Sequence, residues 1–97
     1  MTAYLIAEIE TTDEALMAEY RKHTPALIAK FGGRFVVRGG RIRTLEGGWA
    51  PSRVIMIEFP DFAAAERLYD SEEYKPLRDM RMRAGRSRVI IVDGHNG

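Results

Sequence analysis

The chain has 97 residues, 45% of them hydrophobic and 30% charged, with a formal net charge of +1; these values are typical of one ordinary globular domain, here 1-97. So small a charge gives no long-range attraction to nucleic acid or to an anionic membrane, and the absence of cysteine excludes disulfides, thiolate metal sites and cysteine nucleophiles. The N-terminus has no basic start and no long apolar run, so we expect neither a signal peptide nor a membrane span, and a cytoplasmic location.

The first predicted strand covers residues 4–10 and shows a pattern that recurs in three later strands. One face is apolar, and the other is apolar but interrupted by a charge. Because side chains alternate along a strand, Leu5, Ala7 and Ile9 share one face and Glu8 lies on the other. The apolar side chains of the half-polar face must be covered by another surface, and its charged side chains need ion-pair partners or a ligand.

A helix is predicted next, because apolar residues recur at helical spacing through residues 16–31. Thr11 or Thr12 is the expected N-cap. Pro25 predicts a break or kink near the middle of the helix. The glycine pair at residues 32–33 predicts its end, since glycine accepts the left-handed conformation there.

The second predicted strand begins at Arg34 and carries Arg38 on the face of Val36. The glycine pair at residues 39–40 predicts a bulge or sharp bend in this strand. Residues 41–46 fit a continuing hairpin arm, and the loop that follows contains the only tryptophan, Trp49.

The third predicted strand covers residues 53–59 and carries Glu58 on the half-polar face. A second helix opens at residues 60–61 and is interrupted at residues 70–71, and Pro76 then lies in the first turn of a further helix. The fourth strand covers residues 88–93, with Asp93 on the face of Val89 and Ile91. Residues 94–97 are expected to form a frayed tail.

This order predicts an α+β, ferredoxin-like βαββαβ fold. Its four-stranded antiparallel sheet has the order 4-1-3-2, with the helices on one face. The residues predicted to face the helices are Leu5, Ile55, Ile57, Ile90 and Val92. The residues predicted on the opposite face are Ile6, Val36, Val54, Met56, Val89 and Ile91. Because that face is too apolar for water, we expect a homodimer in which two sheets meet and form a dimeric α/β barrel.

Strand direction places Glu8 and Arg38 at the same end of the sheet, where Arg53 enters, and Glu58 at the other end near Tyr4. We expect Glu8, Arg38 and Arg53 to line a cavity, either between the sheet and a helix or between subunits. The fork of Arg38 can hold a carboxylate or an enolate there, and a partly buried Glu8 can act as a base. The alternative is that Glu8 and Arg38 pair with each other and only hold the dimer together.

Two further side chains are candidates for a cavity. His23 lies beside the predicted helix break, one turn from Tyr20, so it either enters a cavity or lies on the surface. Trp49 is either a lid over an apolar pocket or a packing residue at the dimer edge. The arginines of residues 78–88 indicate a solvated helix face with one or two turned inward, rather than a nucleic-acid site.

An ordered set of residues runs along nearly the whole chain: positions 32–40, 45–47, 58–60, 69–71 and 93–94, with Trp49, Pro51, Arg53, Tyr74, Arg81 and Ser87. This set resembles a small bacterial family of unknown function in the dimeric α/β-barrel superfamily. The resemblance implies the same fold and a dimer, and it implies no catalytic residue. Relatives in the superfamily include cofactor-free monooxygenases, muconolactone isomerase-like enzymes, chlorite dismutase-like haem proteins and stress-response dimers, and the fold does not choose among them.

We therefore expect a dimer that binds a small anionic or oxygenated organic molecule in a cavity on the charged sheet face. If it is an enzyme, we expect a cofactor-independent monooxygenase or isomerase. The alternative is a structural or regulatory homodimer without catalytic activity. We expect no metal, no cofactor, and no nucleic-acid or membrane partner. The candidate ligand-binding residues are Tyr4, Glu8, Tyr20, His23, Arg38, Trp49, Arg53 and Glu58.

Overall fold

The computed structural model describes residues 1–95 and confirms the predicted ferredoxin-like sheet. Neighbouring strands are antiparallel, in the order β2-β3-β1-β4, which is the predicted order read from the other edge. The elements are β1 (Ala3–Thr11), α1 (Glu14–Lys30), β2 (Arg34–Arg38), β3 (Val54–Phe59), α2 (Phe62–Asp70), α3 (Lys75–Ala84) and β4 (Gly85–Asp93).

The C-terminal tail was predicted to fray from residue 94 onward. The backbone N–H of Gly94 instead donates a hydrogen bond of 2.7 Å to the carbonyl of Thr2, which holds the start of the tail against the start of β1. The rest of the predicted tail, Asn96 and Gly97, lies outside the described residues.

The register of β1 decides which side chains face the helices. Leu5 lies opposite Ile57 of β3 and Ile91 of β4, and residues directly opposite each other share a face. These three side chains belong to or pack against the core that α1, α2 and α3 cover. The assignment of β4 from the sequence was therefore wrong: Val89 and Ile91 face the helices, while Ile90 and Val92 lie on the open face.

Local caps start both of the helices that follow a strand. The side chain of Asp13 accepts a hydrogen bond of 3.0 Å from the backbone N–H of Leu16, and Asp61 accepts one of 2.7 Å from Ala64. The N-cap of α1 is thus Asp13 rather than Thr11 or Thr12, because β1 continues as far as Thr11.

Helix α1 is continuous through Pro25, so the predicted break does not occur. Proline at position 25 removes one backbone hydrogen bond from the helix. Buried residues before and after the proline, Tyr20 and Leu27, hold both halves of the helix against the sheet. Packing along the whole helix therefore outweighs the local cost of Pro25.

The bulge in β2 comes earlier than predicted. The register shifts between Phe35 and Val37, so Phe35 lies opposite Ile57 and Arg38 lies opposite Ile55. Because Ile55 faces the helices, the bulge moves Arg38 to the helix side of the sheet. Residues 41–46 do not form the predicted hairpin arm, and the chain between β2 and β3 has no regular secondary structure.

Within residues 1–95, no helix combines the length and the apolar character that a membrane-spanning segment requires.

We expect Gly33→Ala to destabilise the domain where α1 meets β3. A Cβ at position 33 would lie 2.7 Å from the ring of Phe59 and 2.8 Å from Ile28, so these core side chains must shift. Overpacking of this kind costs about 1–3 kcal/mol of the free energy of unfolding. Gly40→Ala is the matched control, because a Cβ there meets nothing within 4 Å. Chemical denaturation measures both, and an equal effect of the two substitutions would contradict this account of the packing.

Candidate functional site

A cavity lies between the helix-facing side of the sheet and the helices. Its volume is about 60 Å³. The sphere of a single water occupies about 10–15 Å³, so the cavity has room for several waters or a small organic molecule. Apolar side chains from all four strands and from α1 and α2 line much of it, among them Leu5, Ile28, Phe35, Ile55, Leu68 and Val89.

The charged side chains that line this cavity are arginines. Arg21, Arg38, Arg53 and Arg81 contribute to its wall, and among the described residues no aspartate or glutamate does so. Arg21 pairs with Glu14, at 3.0 Å between Nη2 and Oε2, whereas the other three form no ion pair within residues 1–95. The cavity is therefore a region of uncompensated positive charge with apolar walls, which attracts anions.

Arg38 and Arg53 are held by contacts other than carboxylates. The guanidinium of Arg38 lies 4.4 Å from the ring centroid of Phe35, in cation–π geometry. The guanidinium of Arg53 packs against Gly39, where a Cβ would overlap it and where φ is +70°. Gly39 thus makes room for Arg53, and both guanidinium groups keep hydrogen-bonding capacity for a ligand.

Arg81 is the most deeply buried of the four arginines, with 3% of its surface exposed. Its Nη1 donates a hydrogen bond of 2.6 Å to the hydroxyl of Ser87. Its Nε and Nη2 are also buried, and neither has a hydrogen-bond partner among the residues that the structure describes. Buried charged donors are normally paired, so Arg81 has unused capacity for an acceptor.

Two tyrosines from different helical segments meet at the same cavity. The hydroxyls of Tyr20 and Tyr74 lie 2.7 Å apart in a buried hydrogen bond. Burial, followed by the neighbouring Tyr74, raises the pKa of Tyr20 well above its usual value. The Tyr20 hydroxyl therefore stays protonated at neutral pH. Tyr20 thus acts as a neutral hydrogen-bonding group in the cavity wall.

Three of the residues predicted for the site line this cavity: Tyr20, Arg38 and Arg53. The other five lie elsewhere. The cavity lies between the sheet and the helices, which is one of the two predicted positions, and not on the charged open face, where Glu8 and Trp49 line a separate surface depression. The bulge in β2 accounts for the position of Arg38, since it carries this residue across the sheet.

Glu8 lies on the open face and does not pair with Arg38. Its Oε1 accepts a hydrogen bond of 2.6 Å from Nε of Arg88, and its Oε2 accepts one of 2.7 Å from the indole N–H of Trp49. These hydrogen bonds, that of Arg88 first, lower the pKa of Glu8. An ionised Glu8 thus anchors the loop between β2 and β3 to the sheet, and Trp49 is fixed by this bond rather than placed over the cavity.

The remaining predicted residues are on the surface or on the open face. Nε2 of His23 lies 3.1 Å from Oε1 of Glu19, and the unbroken helix keeps His23 exposed. Glu58 accepts a hydrogen bond of 2.9 Å from Nε of Arg34 and lies opposite Tyr4 in the sheet. None of these three side chains lines the cavity.

The sequence analysis missed Tyr74 and Arg81 as site residues, although both belong to the set that carries the family resemblance. One signal was available in the spacing: Tyr74, Leu77, Arg81 and Ala84 recur every three or four residues and so share one helix face. An arginine among apolar residues on one helix face indicates inward orientation. Arg81 is an arginine of residues 78–88 that turns inward.

We expect the emission of Trp49 to change at acid pH through protonation of Glu8. Because the folded-state pKa of Glu8 is lowered, its hydrogen bond from Trp49 persists through the ordinary glutamate range and is lost as the pH falls through a midpoint below 4.5. Glu8→Gln removes this transition, whereas Glu46→Gln, in the same loop, leaves it unchanged. Far-UV circular dichroism separates the local change from unfolding. A transition that survives in Glu8→Gln would contradict the assignment.

Solved structures share this fold at low sequence identity. A protein of unknown function from Rhodopseudomonas palustris has a TM-score of 0.78 and 17% identity, and the match covers 99% of this chain and 84% of that one. A dimeric ferredoxin-like protein of unknown function from Jannaschia sp. CCS1 has a TM-score of 0.65 and 15% identity, over 97% of this chain and 100% of that one.

A third neighbour has a described activity. SnoaB, a cofactor-independent oxygenase from Streptomyces nogalater, has a TM-score of 0.62 and 17% identity, over 99% of this chain and 93% of that one. Comparison with curated proteins gives no match. The model of a family described as a domain of unknown function, DUF1330, matches residues 2–95. The chain therefore belongs to the DUF1330 family.

Proposed function

We propose that this protein binds a small anionic or oxygenated organic molecule in the cavity between the sheet and the helices. The observation that carries the proposal is the combination of apolar walls with three arginines, Arg38, Arg53 and Arg81, that form no ion pair within residues 1–95. Small-molecule sites have this character, because apolar walls bury the body of a ligand and a few polar groups orient it.

The exposure of the arginines indicates how a ligand would lie. Arg38 is exposed, Arg21 and Arg53 are half-buried, and Arg81 is buried. Arg21 and Arg53 also line a shallow depression on the surface beside the cavity. We infer that the ligand enters at this edge and that Arg81 lies at the inner end.

The fold of SnoaB supports a wider proposal, that the bound molecule is also transformed, as by a cofactor-independent monooxygenase or an isomerase. The likeness is one of fold, and a fold alone does not identify a reaction. We also propose a cytoplasmic location, which the absence of cysteine supports.

We expect a thermal-shift screen of small carboxylates, phenols, quinones and lactones to yield compounds that raise the melting temperature. A compound at 100 times its dissociation constant adds about 2.7 kcal/mol to the free energy of unfolding. Ala7→Val adds two methyl groups to the cavity wall and should abolish the shift while the domain stays folded. Ala50→Val, in the exposed loop, is the matched control. If no compound of the library raises the melting temperature, the proposal is overturned.

The open face of the sheet supports a second proposal, that the protein is a homodimer. Ile90 is 60% exposed and Val92 is 42% exposed, and both lie on the open face of β4. Adjacent apolar side chains on one sheet face are typical of an interface. The Jannaschia protein is described as dimeric and has the same fold. The same face also supports the alternative function, a structural or regulatory homodimer without catalytic activity.

We expect Ile90→Glu to dissociate the dimer, because it places a charge among the apolar side chains of the open face. Met82→Glu is the matched control: Met82 is 56% exposed, close to the 60% of Ile90, but lies on α3, away from the open face. Light scattering after size exclusion should give twice the 11.0 kDa monomer mass for the wild type and the control, and the monomer mass for Ile90→Glu. A monomeric wild type would refute the dimer.

A further inference from the structure

We propose that Arg81 binds the carboxylate group of the ligand through its Nε and Nη2 atoms, so that the ligand lies with its acid group at the inner end of the cavity. This inference rests on the proposed function and deepens it, because it selects one chemical class: a small carboxylic acid with an apolar body.

The pattern of used and unused donors on Arg81 selects that class. Nε–H and one N–H of Nη2 point in parallel from the same edge of a guanidinium group, and this edge matches the two oxygens of a carboxylate. In Arg81 both atoms are buried without a partner among residues 1–95, while Nη1 is occupied by Ser87. The bond to Ser87 fixes one end of the guanidinium and leaves the two-donor edge for the ligand.

The tyrosine pair offers one more donor beside Arg81. In a hydrogen bond between two hydroxyls, one proton is shared and the other remains available. Beyond this pair, Tyr20 has the side chain of Thr24 as a hydrogen-bonding neighbour, and the Tyr74 hydroxyl makes no second hydrogen bond within residues 1–95. Arg81 is close enough to influence the ionisation of Tyr20 electrostatically. The cavity thus presents an excess of donors over acceptors, which favours an anion over a neutral amide or alcohol.

The lining also indicates that the ligand arrives already ionised. Within the described residues it contains no aspartate, glutamate, histidine, lysine or cysteine, so no ordinary base with a pKa near neutrality faces the cavity. Tyr20 remains protonated. A carboxylic acid is ionised at neutral pH without help, whereas a weakly acidic alcohol or ketone would need a base.

The test compares benzoate with benzamide, which have the same shape but differ in charge and in one acceptor. We expect calorimetry to show that the wild type binds benzoate at least about tenfold more tightly, since hydrogen bonds to charged groups are the stronger ones. In Arg81→Met this preference should disappear through loss of benzoate affinity, with benzamide affinity changing less than about twofold. Arg81→Lys keeps the charge but not the parallel pair, and should recover only part of the preference.

Arg83→Met is the matched control, because Arg83 lies on the same helix but is exposed and pairs with Asp79. It should bind both probes as the wild type does. The comparison in the wild type needs no variant, so the test holds even if Arg81→Met does not fold. Equal binding of acid and amide would overturn the role of Arg81 and leave the proposed function standing. If neither benzoate nor benzamide binds and no compound of the screening library raises the melting temperature, both the proposed function and this inference are overturned.

Discussion

The register of β1 against its two neighbours is the constraint on which the rest of the structure depends. β1 pairs with β3 along one edge and with β4 along the other. The alternation of its side chains therefore decides which side chains of β1, β3 and β4 face the helices. Leu5 and Ala7 bring the apolar side chains of all three strands under the helices, while Glu8 points to the open face and binds Arg88 and Trp49. A slip of one residue would exchange the two sets, burying the carboxylate and exposing the core.

The order of the strands and helices could be predicted because residues typical of turns and helix caps lie between them in the sequence. The facing of β4 could not, since Val89, Ile90, Ile91 and Val92 are apolar at both parities, and the two polar residues of the predicted strand, Arg88 and Asp93, lie at its two ends and at opposite parities. Asp93 lies opposite Ala3 at the end of the sheet, where a side chain reaches water from either face. A charge at the end of a strand therefore does not report which face is buried, whereas the pairing register does.

In the candidate site too, some residues could be predicted from their local sequence, while others depend on how distant segments pack. Tyr20 and Arg53 could be found from helix spacing and strand position, whereas the facing of Arg38 depended on a bulge that the sequence places only through its partner strand. Arg81 lies within a basic run that is typical of a solvated surface, and only its helical spacing with apolar residues indicated an inward orientation. The packing of α3 shows that the neighbouring Arg83 is exposed and paired while Arg81 is enclosed.

The enclosure of Arg81 is costly for so small a domain. A buried donor without a partner costs about 1–3 kcal/mol, and more for a charged group, against a total stability of about 5–15 kcal/mol for a typical protein. A methionine would fill similar space without that cost, since replacing buried charge by apolar side chains is often neutral or stabilising. The cost falls on the helix side of the sheet, whereas the proposed dimer forms on the open side. Since alternate residues of the same strands serve the two faces, ligand binding and assembly can be altered separately, and their free-energy effects should be close to additive.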